Sequence, residues 1–526
     1  MTQITQPRAA RVEPAREGVW QRMAYEYAGG AVNALTALFV LYMLVQTLSV
    51  EAFGLYQVAL NVTMYGVLIL NLGLPPVVSR YMPEQMLRGD GRAVRALLLG
   101  AIAVSGLAGL AVGGGAYLCR GALGRWLQQP QLGPLMGALW CWMITRVLVQ
   151  LLESAADALR GQLAKNRVSV IVSLAQLGIL LIVFRQPVRL PVLLSCFIAA
   201  DAALVMSYGW IVWRLAGGAA AQSPPAPARP LLRRSVLFGA KEYGSILLSS
   251  LWDVRVDLFL VSAMLGIGAA GIFGFAVAVT ASLLAWSPGT FLRHVTRPLF
   301  VEAYLHQGQA EEGQPLQQLF SWYLVVSALL AAPLFLGAMA LFVPVVRLLF
   351  RPEYLEAAPL ITLIGMGMLI RLGMDPLRNI LMVTERVGVF TMLNALACTK
   401  LLASYLAIRA WGMPGAAAVY SLYTAAMVMG MIWWTKRCAA LSWPWQPLAR
   451  VAVNAAAMVA VLLVGRLAAP TPGWVFGVAA AGILAYAVMT LLNPPFPIQP
   501  GPWRERSRAL LGAIRACGSG QESAVC

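Results

Sequence analysis

Apolar residues in this chain gather into long runs separated by short polar stretches that carry Arg, Gly and Pro. An α-helix needs about twenty such residues to cross a hydrocarbon core of ~30 Å. Ala24 to Leu48 is one run of that length and Trp474 to Leu492 is another. The whole series predicts fourteen spans, at 24–48, 55–79, 96–118, 134–156, 168–184, 190–213, 237–264, 269–292, 320–346, 357–382, 387–408, 413–434, 448–468 and 473–492. The fifth is the shortest. The predicted fold class is an all-α membrane protein of fourteen transmembrane helices.

Composition agrees. Of 526 residues, 60% are hydrophobic and only 11% charged, against roughly 25% charged in soluble proteins. The segment up to Arg22 is polar, and the first run is too long for a signal h-region and lacks a clear small-residue cleavage site. The seven cysteines form no CxxC pair, and most lie in apolar runs as small hydrophobes. His294 and His306 are the only histidines, so neither a multi-His metal site nor a His-based catalytic centre is expected. No cofactor and no enzymatic residue is expected.

The net charge of +18, from 39 basic and 21 acidic residues, raises nucleic-acid binding, and its placement dismisses it. Lys and Arg accumulate on the cytoplasmic side of membrane proteins. With the N-terminus inside, and residues near a span end counted with the adjoining segment, 27 basic residues fall in inner segments, 8 in outer ones and 4 within spans. The bias predicts both termini in the cytoplasm. The charge is spread over many short loops, not gathered on one basic face.

The chain also resembles itself. AYEY at Ala24–Tyr27 recurs as AKEY at Ala240–Tyr243, and AFGLY at Ala52–Tyr56 as AAGIF at Ala269–Phe273. Arg80 pairs with Arg297, and DALR at Asp157–Arg160 with DPLR at Asp375–Arg378; all four offsets lie between 216 and 218. A six-span unit has been duplicated, and an even number of spans gives two halves of the same orientation. Pro134 and Arg146 resemble Pro359 and Arg371 at an offset of 225, so the register of the fourth and tenth spans stays open. The expected domains are a cytoplasmic tail (1–22), a first lobe (23–214), an Ala/Gly/Pro-rich linker (215–235), a second lobe (236–437), helices thirteen and fourteen (446–492) and a basic cytoplasmic tail (493–526).

Ala52–Glu84 (AFGLYQVALNVTMYGVLILNLGLPPVVSRYMPE), Asp253–Ala276 and FRPEYLEAAPLI at Phe350–Ile361 resemble the bacterial polysaccharide flippases. These form the polysaccharide-transport branch of the multidrug/oligosaccharidyl-lipid/polysaccharide exporter superfamily. The resemblance covers roughly residues 20 to 440. It implies two six-helix lobes packed as a V around a central cavity, and movement of a polyprenyl-pyrophosphate-linked oligosaccharide across the bacterial inner membrane. Membrane lipids would be partners, and a glycan polymerase or export machinery a candidate one.

Ionisable residues inside spans usually face a cavity or a partner. Arg146, Gln150, Glu153, Asp157 and Arg160 fall on one face of the fourth span. They either line the cavity, with Arg146 meeting a pyrophosphate, or form a network between helices. Arg371, Asp375 and Arg378 repeat the pattern, where an Arg371–Asp375 pair is the plainer reading. Asp253 and Asp257 share a face of the seventh span and Arg255 points away. They are read as a proton-exchanging carboxylate pair or as salt-bridge partners, with Lys400 of the eleventh span as one candidate partner. Glu26 and Asn33 lie two turns apart at the inner mouth, where simple solvation competes with a cavity role.

The leading expectation is a flippase, with an ion-coupled multidrug exporter of the same superfamily as the alternative. The exporter would need carboxylates to dominate the cavity, whereas Arg146 and Arg371 favour an anionic cargo. A membrane glycan polymerase would need a large outer catalytic loop, and the longest here, around Cys119–Gly133, spans about fifteen residues. GIGAAG at Gly266–Gly271 lacks a strand-to-helix context for a nucleotide.

Overall fold

The computed structural model describes residues 19–87, 90–126, 130–185, 189–220, 229–285, 300, 314–383, 387–439, 441–467 and 472–496, without the side chains of 19–28 and of a few residues near other helix ends. Most of the expected tails, residues 221–228 of the linker, Arg293, Arg297 and both histidines lie outside the described residues, as does the side chain of Glu26. The rest of the expected linker is helix, 215–220 in the helix that ends at Ala220 and 229–235 in the helix that starts at Arg229. The described residues form helices joined by short turns, with no strand among them.

The first half holds α1 (Val19–Thr47), α2 (Val50–Leu70), α3 (Leu74–Leu87), α4 (Gly91–Ala108), α5 (Gly114–Leu118), α6 (Arg120–Trp126), α7 (Met136–Ala158), α8 (Gln162–Val183) and α9 (Leu190–Ala220). The second holds α10 (Arg229–Ser250), α11 (Val254–Leu265), α12 (Ile267–Ala285), α13 (Gln314–Leu349), α14 (Ala358–Arg371), α15 (Met374–Val383), α16 (Val387–Ala395), α17 (Ala397–Trp411) and α18 (Met413–Ala439). Two helices follow, α19 (Trp445–Arg466) and α20 (Pro472–Leu492).

Among the described residues, twelve helical segments are long and apolar enough to cross a membrane. The predicted seventh and eleventh spans fall short because each is interrupted, at Leu251–Asp253 and at Leu396, and each carries charge. The fifth span, Gln162–Val183, is longer than expected. The predicted second span is not one helix. It ends at Leu70, turns through Leu72 (φ 46°) and Gly73 (φ 71°), and resumes as α3. Gly73 accepts that left-handed geometry without a Cβ penalty, and Pro75 and Pro76 sit in the first turn of α3, where a missing N–H costs little.

The fourth and tenth spans begin alike and end differently. Pro134 belongs to a 3₁₀ turn leading into α7, and Pro359 opens α14 behind a 3₁₀ turn at Pro352–Ala357. Arg146 and Arg371 follow twelve residues later in each case. Asp157 lies in the last turn of α7, whereas Asp375 lies in the first turn of α15. Each Pro thus precedes its Arg from a similar place at the start of its span, whereas Asp157 ends a helix and Asp375 begins one.

The largest apolar cluster draws on both halves, including Phe53 and Tyr56 of α2, Phe273 and Phe275 of α12, and Tyr354. Gly54 and Gly271, repeat mates, touch at its centre; a Cβ on either would collide with backbone of the other helix, at Ile267 O and Val50 O. Arg351 ties the second half to the α1–α2 turn, donating to the carbonyls of Leu48 (3.1 Å) and Gln46 (2.9 Å). This is the end expected to face outward. At the opposite end each half has its own core, around Val94, Leu152 and Val212 in the first and around Phe320, Leu381 and Met427 in the second. There the halves meet where α3 touches α10: Gly73 lies against the carbonyl of Gly239, and the Tyr243 hydroxyl donates to Ile69 O at 3.0 Å. The halves thus share a core at one end and split at the other. Helices α19 and α20 pack on α13, through Val325, Ala332, Val451 and Ala455 and through Ala340, Met458 and Val478.

Candidate functional site

Behind the α3–α10 contact lies a cavity of about 390 Å³ between the halves. The break after α2 supplies Asn71 and Gly73, α7 supplies Gln150, Glu153, Ser154 and Asp157, and α10 supplies Tyr243. Asn71 Nδ2 donates to Gln150 Oε1 at 2.7 Å. Lys165, at the start of α8, reaches Glu153 at 3.3 Å and Asp157 at 2.7 Å. The two carboxylates are therefore partly neutralised, yet both remain more than a third exposed to the cavity side. The wall is polar but not strongly anionic.

Arg146 is not spent as its position on that stripe suggested. It pairs with Asp201 of α9 at 2.8 Å, and Trp142 Nε1 donates to the same carboxylate at 2.9 Å. The guanidinium joins α7 to α9 within the first half. Neither Arg146–Gln150 nor Gln150–Glu153 is a contact, because Gln150 and Glu153 turn to other helices. Asp201 was missed, although it is the one charged residue between Leu190 and Trp213, which by itself marks it as a buried partner. Asn33 likewise ties helices, donating to Ser169 Oγ at 3.0 Å.

A second, smaller pocket of about 230 Å³ lies inside the second half. Ser249, Trp252 and Asp253 come from the α10–α11 break, Arg371, Asp375 and Arg378 from around the α14–α15 break, Asn394 from α16, and Tyr420 and Thr424 from α18. Asp253 and Asp257 do not form a carboxylate pair. Asp253 caps α11 by accepting from Arg255 N at 3.0 Å. Asp257 is sealed: Lys400 Nζ donates to Oδ2 at 2.8 Å and Ser404 Oγ to Oδ1 at 2.8 Å, and neither Asp257 nor Lys400 has exposed surface. Lys400 also reaches the carbonyl of Asp253 at 3.3 Å. Arg255 is half-buried and its carbonyl accepts from Asn61 at 3.4 Å. No ion pair joins Arg371 to Asp375 among the described residues; Asp375 and Arg378 have contacts of their own. The structure thus brings Arg371, Asp375 and Asp253 to one pocket, Glu153 to the other cavity, and Lys400 with Asp257 to neither. Among the described residues no cluster of His, Cys, Asp or Glu could hold a metal.

Residues 19–290, just over half of the chain, match the family described as polysaccharide biosynthesis protein. The chain belongs to that family. Among solved structures, this polysaccharide biosynthesis protein is similar to a lipid II flippase, MurJ, in an inward closed conformation, with a TM-score of 0.68 at 10% identity over 93% of this chain and 99% of the other. It is also similar to a multidrug resistance transporter of the MATE family and MOP superfamily in its inward-facing conformation, with a TM-score of 0.58 at 13% identity over 80% of this chain and 94% of the other. The outward-facing form of a MATE transporter gives a TM-score of 0.51 at 15% identity over 80% and 96%. At such identities these likenesses show the fold alone, an all-helical transporter fold in a multi-pass membrane protein. No curated protein matches the sequence.

Proposed function

We propose that this chain is a flippase that carries a polyprenyl-pyrophosphate-linked oligosaccharide across the bacterial inner membrane, with both termini in the cytoplasm. One observation carries the reading: a polar cavity lies between two halves that share a core at one end and, among the described residues, meet at the other where α10 touches α3 and the α2–α3 turn. That asymmetry suits alternating access, with the α3–α10 contact as the gate that yields first. The family match supports a glycan pathway, and the likeness to the lipid II flippase supports a fold able to pass a lipid-linked head group. The mechanism needs no covalent step. Proteoliposomes holding the purified protein and a labelled polyprenyl-pyrophosphate oligosaccharide should expose label to the far side faster than empty liposomes. Equal rates would sink the reading.

Multidrug export remains the alternative, since Glu153 and Asp157 line the cavity. Lys165 offsets them, which disfavours a cationic drug. Resistance to cationic dyes conferred by expression, without glycan transport, would favour it.

A further inference from the structure

The three backbone interruptions of the second half converge on one pocket wall. Trp252 and Asp253 lie at the first break, Arg371 and Leu372 at the second, and Asn394 one residue before the end of α16. Irregular backbone at membrane depth is tolerated where it borders a cavity, so the pocket explains the breaks.

Its polar inventory is unbalanced. Trp252 Nε1, both amide atoms of Asn394 and the Tyr420 hydroxyl have no hydrogen-bond partner. Yet Trp252, Asn394 and Tyr420 are only 9%, 0% and 1% exposed. Buried groups of this kind are nearly always paired, and clustered exceptions point to a missing water, ion or ligand. All three residues can donate, and an indole can only donate. Arg371 is exposed beside them and forms no ion pair among the described residues. The Tyr420 hydroxyl lies beside its guanidinium. Of the neighbouring carboxylates, Asp257 is sealed by Lys400 and Ser404, whereas Asp253, which caps α11, and Asp375, which has contacts of its own, stay within electrostatic reach of Arg371. Met374 and Asp375 of the first turn of α15 also border the pocket, and helix N-termini favour anions.

We infer that this pocket is an oxyanion site of the phosphate class, with Arg371 supplying the charge and Trp252, Asn394 and Tyr420 the donors. A guanidinium fork matches phosphate oxygens in pairs. The volume of about 230 Å³ lies below that of sites for drug-sized ligands, which suits a phosphate or diphosphate and not a glycan chain. The flippase reading bears only on the source of the anion, which would be the lipid-linked diphosphate, and not on the site itself.

The test uses the full chain in nanodiscs with labelled inorganic pyrophosphate, farnesyl diphosphate, and N-acetylglucosamine as a neutral probe. Both diphosphates should bind saturably, and Arg371→Gln should weaken them by about tenfold or more. Trp252→Phe and Tyr420→Phe, which keep a ring and remove a donor, should each weaken binding by roughly threefold. Tighter binding of farnesyl diphosphate assigns the site to a lipid head group; equal binding assigns it to free phosphate compounds. The inference is overturned by absence of diphosphate binding, by binding that ignores Arg371→Gln and Trp252→Phe, or by competition from the sugar alone. Flipping by a protein whose diphosphate binding ignores these variants would leave the flippase reading standing without the site. Arg371-dependent binding without flipping would leave the site standing without the reading.

Discussion

In the first half, Arg146 meets Asp201, and Glu153 and Asp157 share Lys165, along an unbroken α7. In the second half the corresponding span breaks after Arg371, which has no such partner, and two further spans break beside it. The sequence repeat relates the two halves, so the comparison turns on how each handles charge inside the membrane. The first used its ionisable groups to bind helices to one another. The second sealed one pair, Lys400 with Asp257, and left others facing a pocket. A duplicated scaffold can therefore assign structural work to one copy and ligand work to the other.

The sealed pair gives the largest expected effect. Lys400→Met strands Asp257 with no cation and no exposed surface, and removing one member of a buried pair costs about 3–5 kcal/mol. Unfolding of the detergent-purified protein should register that loss, and Asp257→Leu added to Lys400→Met should recover much of it. Lys165→Met offers the contrast, because its partners are 47% and 39% exposed and such pairs contribute about 0–1 kcal/mol. Equal losses for the two lysines would break the comparison.

The two arginines sharpen it. Arg146→Gln leaves Asp201, 7% exposed, with Trp142 as its remaining side-chain donor, and should cost about 1–3 kcal/mol. Arg371→Gln removes no ion pair, so unfolding should shift by about 0.5 kcal/mol or less while diphosphate binding falls. Thermal unfolding and binding measured on the same preparations separate the two behaviours. An Arg371→Gln protein that melts like Arg146→Gln would mean that Arg371 is structural too.

Much of this was legible in the sequence. Run length located twelve of the fourteen predicted spans among the described residues, and the repeat suggested two halves. The interruptions were harder to see, because Leu372–Gly373 and Leu251–Asp253 stay apolar enough to continue a hydropathy run while the backbone turns. Partners were harder still. Spacing along one helix shows which residues share a face, so it could suggest Arg146 with Gln150, but Asp201 lies 55 residues away and meets Arg146 only once α7 packs on α9. The Lys400–Asp257 pairing could be suggested from charge alone, yet its complete burial could not. Unpaired groups such as Asn394 leave no trace in a sequence, since being unsatisfied is a property of the neighbours.

Two tryptophans give the finest comparison. Trp142 and Trp252 each lie beside the arginine of their own half, but Trp142 Nε1 donates to Asp201 at 2.9 Å and Trp252 Nε1 donates to nothing. Replacing either with Phe removes similar ring volume, so the packing losses should nearly cancel between the two variants. What remains is one hydrogen bond to a buried carboxylate. Trp142→Phe should therefore destabilise more than Trp252→Phe, by about 1 kcal/mol or slightly more, in unfolding measured without added anion. Saturating diphosphate should then stabilise wild type more than Trp252→Phe, and Trp142→Phe as much as wild type, because a ligand stabilises in proportion to its affinity. If the two variants unfold alike and respond alike, the indole of Trp252 is already satisfied by water and the halves differ less than their geometry indicates.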